Sequence, residues 1–330
     1  MAKKEMQNMD FSIIVPVYFN EGLLETTFAR IHDEVIAKNP ALRGEVIFVD
    51  DGSGDGSFQE LLKIREANPD VVTVVKLTRN FGQVNAIRAG FSMARGRCAI
   101  NISADGQDPP SLISEMLKSH FEDNYEIVVC TRKGRDESAY RIMTSRLFYG
   151  LMQKMSFPNM PVGGFDFVLL GRRALSILMQ NQEANPFFQG QVLWLGFRIK
   201  FLAYQRQKRA VGKSKWTFGK KLTYLLDGVL SYSFLPIRWV SLTGLLVALL
   251  GFSYAAIVLT VKVLYGNPIK GWTPLMIVVL VLGGFQMLTL GIFGEYMWRI
   301  LAQVQGRVPF IIEAVYGQST QRKDLVCEKN

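Results

Sequence analysis

Apolar residues recur along the first 130 positions in short runs that alternate with amphipathic stretches. These runs predict buried β-strands over residues 11–18, 45–51, 71–77, 98–103 and 125–131. Helical stretches follow the first two strands, extend over about residues 82–94 between the third and the fourth, and resume after Pro109. Strands alternating with helices at this spacing predict a doubly wound α/β sheet, which binds ligands at the carboxyl ends of its strands.

The apolar pattern changes towards the carboxyl end of the chain. Residues 239–261 and 272–294 are two runs of 23 residues without a charge, joined by a segment rich in Gly, Asn and Pro. As a helix, each run is about 34 Å long, enough to cross a hydrocarbon core of roughly 30 Å. The pattern therefore predicts a transmembrane hairpin over residues 239–298. The alternative is a pair of buried helices in a soluble domain.

The hairpin divides the rest of the chain into predicted parts. We expect a sheet domain over residues 1–216, an amphipathic membrane-surface segment over 217–238, and a tail over 299–330. A solvated linker is the alternative for the amphipathic segment. Seven Lys or Arg residues and no acid lie within residues 206–221, so the positive-inside rule places the sheet domain and both termini in the cytoplasm. The net charge of +10 also suggests an anionic partner.

Polar and acidic residues follow the predicted strands where many nucleotide-binding sheets carry glycines. Asn20 and Glu21 follow the first strand, Asp50 and Asp51 open the sequence DDGSGDGS at the second, and SADGQDPP follows the fourth. Neither GxGxxG after the first strand nor a Walker A sequence is present, which disfavours a dinucleotide-binding Rossmann site. Acidic strand ends suit a metal that holds a diphosphate, or hydrogen bonds to a base and ribose. The alternatives are a capped turn at DDGSGDGS and a helix cap at Asp108, which we favour for Asp108.

The chain contains six motifs in order: IIVPVYFNE, FVDDGSGDGS, LTRNFGQVNAIRAGFSMARG, SADGQDPPSLI, GGFDFVLLGRRAL and YQRQKRAVGKSKW. With the two apolar runs and GEYMWRILAQVQGRVPF after them, it resembles family-2 glycosyltransferases of the GT-A fold that move a sugar onto polyprenyl phosphate. The resemblance covers about residues 11–312 and is greatest to the bactoprenol (undecaprenyl-phosphate) glucosyltransferase branch, which is related to dolichol-phosphate mannose synthases. It implies an inverting hexosyltransferase of the bacterial inner membrane. The implied reaction transfers glucose from UDP-glucose to undecaprenyl phosphate, for modification of a cell-envelope glycan.

The resemblance also implies roles for individual residues on the donor side. It implies a nucleotide-sugar site formed by Pro16, Tyr18, Glu21, Asp50, Asp51, Ser53, Arg79, Ser103 and Asp105. Within that site Asp51 would contact the base, while Asp105 and Gln107 would bind a divalent cation, Mg²⁺ or Mn²⁺. Asp105 is also implied as a catalytic residue. Ser103 stands where the family pattern has an aspartate, and a neutral hydroxyl is a weaker ligand for a hard cation.

A second group of residues is implied for the acceptor. Asp166 matches the acidic residue of the family's acceptor region, where it would act in catalysis as a base or orient the acceptor. A simple turn carboxylate is the alternative. The acceptor phosphate would be bound by Arg132 and by a basic stretch next to the membrane. The residues of that stretch are Arg206, Arg209, Lys213, Ser214 and Lys215. For that stretch, an anchor role is the other interpretation, and both roles can apply.

Other functions are open or disfavoured. A non-catalytic membrane scaffold or a lipid-transport partner would be consistent with Ser103. A processive polysaccharide synthase is disfavoured because the chain has no QxxRW sequence and two spans are too few for a polymer channel. Nucleic-acid binding is disfavoured because the strand ends are acidic. The donor base is expected to be uracil ahead of guanine. Four glycines within residues 283–294 fit close helix packing, either in one chain or in a homo-oligomer.

Overall fold

A computed structural model of the chain describes residues 9–132, 149–150, 153–154, 157–161, 164–181, 183, 186–205, 235–265 and 272–317. The chain divides into two compact units. The first comprises Met1–Thr223 and Val308–Asn330, and the second comprises Tyr224–Arg307. The chain therefore leaves the first unit, forms the second, and returns to the first.

The described part of the first unit is built on one eight-stranded sheet with mixed strand directions. Its strands are β1 (Phe11–Val17), β2 (Gly44–Asp50), β3 (Val72–Leu77), β4 (Cys98–Asn101), β5 (Ile127–Arg132), β6 (Phe167–Gly171), β7 (Ile199–Tyr204) and β8 (Ile312–Tyr316). Their order across the sheet is β7-β5-β6-β4-β1-β2-β3-β8. The first four strands pair in parallel, and so do β5 and β7. Strand β6 is antiparallel to β4 and β5, and β8 is antiparallel to β3.

Helices pack on both faces of this sheet. In the described part of the unit they are α1 (Leu24–Ile31), α2 (Ser57–Ala67), α3 (Gln83–Met93), α4 (Leu112–Phe121), α5 (Arg172–Gln180) and α6 (Phe188–Trp194); a π-helical turn, His32–Ile36, continues α1. Alternate β1 side chains, such as Ile13 and Val15, share a buried cluster with residues of α1, α2 and α4. On the other face Ile14 packs against Gly90 of α3, so close that a Cβ there would lie 2.4 Å from Ile14 Cγ2. Burial on both faces explains why β1 is a continuous apolar run.

The five strands predicted from apolar runs each overlap one of β1 to β5, which confirms the α/β class. The sheet differs from a simple doubly wound arrangement because β6 is inserted, antiparallel, between β4 and β5. Strand β8 is a second difference, since the sequence pattern predicted only a tail there. It pairs with β3, and Lys76 Nζ of β3 lies 2.9 Å from Glu313 Oε1 of β8.

The second unit contains two long helices, α7 (Leu235–Tyr265) and α8 (Trp272–Val304), of 31 and 33 residues. Large apolar side chains are exposed along both, among them Leu242, Leu249, Leu290 and Leu301. Judged by length and apolarity together, no helix in the described part of the chain could cross a membrane. Residues 206–234, with most of the predicted amphipathic segment, and residues 266–271 of the predicted hairpin loop lie outside the described residues.

Candidate active site

The candidate site lies at one edge of the sheet, where the carboxyl ends of neighbouring strands meet. Strands β4, β1, β2 and β3 are adjacent and parallel, so the segments that follow them emerge on the same side. The antiparallel β6 begins at this edge, since Val168 pairs with Asn101 near the end of β4. The topology thus brings four strand-end segments and the segment before β6 together.

Asp51, predicted to contact the nucleobase, organises the loop between β3 and α3. Its carboxylate oxygens accept hydrogen bonds from the backbone amides of Phe81, at 2.7 Å, and Gly82, at 2.9 Å. The residue is 3% exposed, and burial raises its pKa to about 6, against the opposing effect of these two hydrogen bonds. Gly52 next to it has a φ of +69°, and a Cβ there would lie 2.7 Å from the carbonyl carbon of Arg79. The base contact itself remains a prediction.

Asp50 is fully buried at the end of β2 and supports the turn that follows. Its Oδ1 accepts the amide hydrogen of Ser53 at 3.3 Å, and Ser53 Oγ accepts that of Phe19 at 3.1 Å. Its Oδ2 has no hydrogen-bond partner among the described residues. Burial raises the pKa of Asp50, although the hydrogen bonds with Ser53 oppose the shift. These contacts connect the ends of β1 and β2 into one wall.

Residues predicted for the remaining donor wall take two kinds of position. Pro16 lies within β1 opposite Val49, and Glu21 Oε2 accepts the amide hydrogen of Gly56 at 2.9 Å. Tyr18, in contrast, is 37% exposed and meets the ring of Phe19 edge to face, with centroids 4.6 Å apart. These aromatic rings offer a surface on which a planar ligand group could stack.

Arg79 is exposed in the loop between β3 and α3. Its guanidinium carbon lies 4.2 Å from the centroid of the Phe81 ring, and Nη1 donates to the carbonyl oxygen of Asn80 at 3.3 Å. Since Asp51 holds the amides of the same loop, Arg79 is attached to a segment with a fixed backbone. An exposed guanidinium on such a segment suits binding of a diphosphate.

The loop after β4 contains the predicted cation ligands in a compact turn. Asp105 is 9% exposed; its Oδ1 accepts the amide hydrogen of Gln107 at 3.2 Å, and its own amide donates to Ser103 Oγ at 3.4 Å. The loop is fixed from α1, because Thr27 Oγ1 donates to the carbonyl oxygen of Ala104 and Arg30 Nη1 to that of Gly106. The structure therefore places Ser103, Asp105 and Gln107 in one short turn.

This turn has the donor chemistry of a cation site that is shared with a substrate. Among the described residues, no group of three or more His, Cys, Asp or Glu side chains could hold a metal ion. One carboxylate, one amide carbonyl and one hydroxyl are hard oxygen ligands, but they supply a single negative charge. Mg²⁺ is commonly bound by one or two carboxylates together with substrate phosphates. The residues therefore fit a cation whose other ligands come from a diphosphate.

Asp166 lies directly before β6 and is held beside the end of β4. The side-chain amide of Asn101, two residues before Ser103, donates to its backbone carbonyl oxygen. Its carboxylate is 48% exposed and forms an ion pair with Arg132, with Nη2 and Oδ2 2.8 Å apart. On the other side Gln189 Nε2 of α6 lies 3.5 Å from Asp166 Oδ1. A half-exposed carboxylate next to the loop after β4 can contact a ligand.

Arg132, predicted to bind the acceptor phosphate, is largely buried, with its side chain 12% exposed. Burial alone would lower its pKa, but Asp166, Tyr204 and Asp108 together raise it. In this structure its Nη2 contacts the carboxylate of Asp166, so an acceptor phosphate would join or replace an existing ion pair. Phosphate binding by Arg132 remains a prediction.

Asp108 does not cap the helix that follows it, contrary to the sequence-based interpretation. Helix α4 begins at Leu112 with Ser111 as its N-cap residue, because the two prolines form a preceding turn. The carboxylate of Asp108 is instead buried and accepts a hydrogen bond from Tyr204 Oη at 2.5 Å. The sequence pattern indicates no individual role for Asn101, Gln189 or Tyr204. The only signal for Tyr204 is its place as the first residue of the motif YQRQKRAVGKSKW.

The remaining predicted acceptor residues, Arg206, Arg209, Lys213, Ser214 and Lys215, lie outside the described residues. The last described position before them is Gln205, directly after β7. Their part in acceptor binding therefore remains a prediction from the sequence.

The mixed α/β sheet and the acidic segments at one of its edges suit a transferase whose substrate carries a diphosphate bound with a cation. Residues 12–178 match glycosyl transferase family 2, and the chain belongs to this family. A glycosyltransferase of Synechocystis sp. is 33% identical over 94% of this chain and 96% of its own length. The SfII prophage-derived bactoprenol glucosyl transferase of Shigella flexneri is 30% identical over 92% of this chain and 98% of its own. A solved mannosyltransferase from Pyrobaculum calidifontis has a TM-score of 0.45 at 20% identity, over 62% of this chain and 59% of that chain.

Family membership and these relatives establish that the protein is a glycosyltransferase. This confirms the resemblance on which the residue roles were based.

Proposed function

We propose that the protein transfers a hexose from a UDP-sugar to undecaprenyl phosphate, and that this hexose is glucose. The observation that carries this proposal is the position of Asp166, which lies beside the end of β4 and so next to the oxygen-rich loop of Ser103, Asp105 and Gln107. A donor diphosphate held at that loop would have its sugar close to a half-exposed carboxylate. The names of relatives that match over nearly their whole length support the choice of lipid acceptor.

The donor would occupy the edge formed by β1, β2 and the loop before α3. The exposed Tyr18 and Phe19 rings supply stacking surfaces, and Arg79 supplies a positive charge for the diphosphate. Asp105 and Gln107 would hold Mg²⁺ or Mn²⁺, which when bound neutralises charge that develops on the leaving diphosphate. Uracil is expected ahead of guanine, and glucose ahead of other hexoses.

In the proposed reaction an oxygen of the lipid phosphate forms a bond to C1 of the sugar. The bond between C1 and the diphosphate oxygen breaks, and the nucleoside diphosphate leaves with the electron pair. A phosphate monoester has a second pKa of about 6, so the acceptor is largely dianionic at pH 7 and needs little help from a base. Asp166 then either takes the residual proton or orients the acceptor through its ion pair with Arg132.

Although no described helix meets the length and apolarity of a membrane span, we also propose from the two charge-free sequence runs that residues 239–298 form a transmembrane hairpin in a bacterial inner membrane, with the sheet domain and both termini in the cytoplasm. Exposed leucines along α7 and α8 support this proposal, because apolar side chains of this number are unfavourable in water. The basic residues within 206–221 support the orientation. A single cysteine at Asn267, in a chain with Cys98, Cys130 and Cys327 replaced by Ser, should react with a membrane-impermeant thiol reagent added from outside spheroplasts. Labelling only after lysis would contradict this orientation.

The reaction is tested directly with the purified full chain in detergent. UDP-glucose, UDP-galactose, UDP-N-acetylglucosamine and GDP-mannose are each incubated with undecaprenyl phosphate and Mg²⁺ or Mn²⁺, and lipid products are identified by mass spectrometry. We expect a hexosyl-phosphoryl lipid from UDP-glucose at the highest rate. A chain that binds nucleotide sugars but forms no lipid product from any of them would favour the scaffold alternative. A thermal-shift screen of the same nucleotides gives the donor base independently.

The acceptor part of the proposal has a further test in the basic stretch. Arg206→Lys and Arg209→Lys keep the charge needed for orientation but remove the planar, two-pronged guanidinium. If these residues grip the lipid phosphate, the acceptor KM should rise about tenfold or more, with donor affinity nearly unchanged. Lys220→Arg, a reciprocal change in the same basic stretch, serves as the control. A normal acceptor KM in both variants would assign an anchor role to the stretch.

A further inference from the structure

A continuous series of polar contacts runs from the loop after β4 to Asp166. Tyr204 Oη donates to Asp108 Oδ1 at 2.5 Å, and Tyr204 is the register partner of Arg132 across β7 and β5, where each side chain shifts the pKa of the other. Arg132 Nη2 in turn lies 2.8 Å from Asp166 Oδ2. Tyr204 thus lies between Asp108 of the loop after β4 and Arg132, which is paired with Asp166.

This series is shielded from water over most of its length. Asp108 is 2% exposed, Tyr204 is 6% exposed, and only the Asp166 end reaches solvent. The ring of Tyr204 is held edge-on against Phe167 of β6, with centroids 6.3 Å apart. A buried polar group that loses its partner is costly, so the contacts constrain one another's geometry.

The two ends of the series are the two parts of the candidate site. Asp108 directly follows Gln107 in the predicted cation-binding turn, and Asp166 is the proposed acceptor-side carboxylate. Tyr204 belongs to β7 and is the register partner of Arg132 in the neighbouring strand β5. Tyr204 therefore lies between the donor turn, to which its hydroxyl is bonded, and Arg132 on the acceptor side.

We infer that Tyr204 is a positioning residue, whose hydroxyl sets the geometry of the cation-binding turn and of the Arg132–Asp166 pair together. The inference rests on the proposed function for its kinetic consequences. With the hydroxyl removed, Asp108 loses its hydrogen bond and Arg132 loses a polar neighbour, so the turn and the ion pair can move independently. A hydrogen bond with purely structural value would instead affect stability alone.

The test compares Tyr204→Phe with Tyr125→Phe in the full-length protein. Tyr125 is a matched control because its hydroxyl also pairs with an arginine, Arg198, at 3.2 Å, but at the opposite end of β5. For Tyr204→Phe we expect kcat to fall about tenfold and the half-saturating Mn²⁺ concentration to rise severalfold, with cation-free binding of UDP unchanged. For Tyr125→Phe we expect neither kinetic change. Tyr204→Phe with the kinetics of the control would overturn the inference.

Coupling to Asp166 has its own readout. If the hydroxyl acts on turnover through Arg132 and Asp166, its removal should lower kcat much less in an Asp166→Asn background, while the shift in Mn²⁺ dependence should persist. Equal effects on kcat in both backgrounds would show that Tyr204 does not act through Asp166.

Hydrogen exchange separates a failure of the inference from a failure of the proposed function, because it requires no activity. Tyr204→Phe should speed amide exchange severalfold both in residues 103–108 and in residues 164–167, whereas Tyr125→Phe should leave both segments unchanged. Faster exchange in only one segment, or in neither, would overturn the coupling even if the wild-type chain transferred no sugar. Faster exchange in both would uphold the coupling in that case.

Discussion

The two sides of the candidate site hold their carboxylates in different ways. Asp51 is 3% exposed, and backbone amides occupy both of its oxygens. Asp166 is 48% exposed and is held by the side chains of Arg132 and Gln189. The donor side is therefore built from backbone contacts that fix loops, whereas the acceptor side depends on a series of side chains. Substitutions on the first side should disturb stability and donor binding, and those on the second should mainly disturb turnover.

The largest expected effect concerns the turn that both sides share. Asp105→Ala removes the one carboxylate among the predicted cation ligands, and we expect kcat for transfer to fall by about 10²- to 10³-fold. Steady-state kinetics at saturating Mn²⁺ measure this change. Asp33→Ala, at an exposed carboxylate of the π-helical turn, is the control and should be neutral. Full wild-type activity in excess EDTA would contradict the cation assignment.

The next largest expected effect is a pH dependence of stability caused by the burial of Asp51. Its pKa is raised from 3.8 to about 6, so the folded state retains a proton that the unfolded state has lost. The contribution of the raised Asp51 pKa to the free energy of unfolding is fully present below about pH 4 and is lost as the pH rises through about 6. The difference of about 2 pKa units corresponds to about 3 kcal/mol.

Asp51→Asn cannot titrate, which makes it the matched variant for this prediction. Between pH 4 and pH 7 the wild-type chain should lose up to about 3 kcal/mol of unfolding free energy relative to Asp51→Asn. Chemical denaturation of both proteins at several pH values measures the difference. A gap that stays constant over this range would mean that Asp51 ionises normally in the folded state.

On the acceptor side, Asp166→Asn keeps the shape of the side chain but removes its charge. Because the acceptor is already anionic, we expect a moderate fall in kcat, about ten- to a hundredfold, with donor affinity preserved. Asp123→Asn is a close control, since Asp123 is 44% exposed and pairs with Lys200 at 2.7 Å. Weaker donor binding by the Asp166→Asn variant would mean that this carboxylate belongs to the donor site and not to the acceptor site. The pH–rate profile of the variant distinguishes a base from an orienting group.

A backbone test on the donor side uses two glycines of the same turn. Gly52 has a φ of +69°, and an added Cβ would approach the Arg79 backbone to 2.7 Å, so Gly52→Ala should cost about 2 kcal/mol of stability and weaken nucleotide binding. At Gly54 the nearest atom would be 3.5 Å away, in the ring of Phe19. Gly54→Ala should therefore be nearly neutral. Denaturation and calorimetric UDP binding compare the two, and equal effects would contradict a tightly fixed Gly52.

The smallest expected effect is a gain. Ser103→Asp adds a carboxylate to the turn and should lower the half-saturating Mn²⁺ concentration severalfold, because a charged oxygen binds a hard cation more strongly than a hydroxyl. Activity measured over a Mn²⁺ titration tests this expectation. An unchanged titration would show that Ser103 lies outside the ligand shell.

The predictable parts of the molecule are those that local pattern controls. The apolar runs predicted β1 to β5, because strands buried on both faces need continuous apolar residues. Strand β7 escaped prediction because it lies at the sheet edge, where exposed positions such as Phe201 prevent the continuous buried run by which β1 to β5 were identified. Strand β8 pairs with β3 only after the chain has passed through the second unit, which no local pattern indicates.

The same distinction applies to the candidate site. Asp105 and Gln107 could be identified because they share one turn within a recognisable motif. The partnership of Asp108 with Tyr204 could not, since 96 positions separate them and the local signal of two prolines favoured a helix cap. Gln189 likewise contacts Asp166 from a different element, with no spacing that would indicate it. Long-range side-chain contacts require the fold before they can be assigned.

One paired assay tests directly whether the acceptor of the sugar is a lipid phosphate. Transfer of radiolabelled glucose from UDP-glucose is measured with undecaprenyl phosphate and with undecaprenol, in the same detergent and at the same Mn²⁺ concentration. We expect a labelled lipid with the phosphate and none above background with the alcohol, because the phosphate oxygen is the nucleophile. Equal labelling of both lipids, or labelling of the alcohol alone, would contradict this expectation.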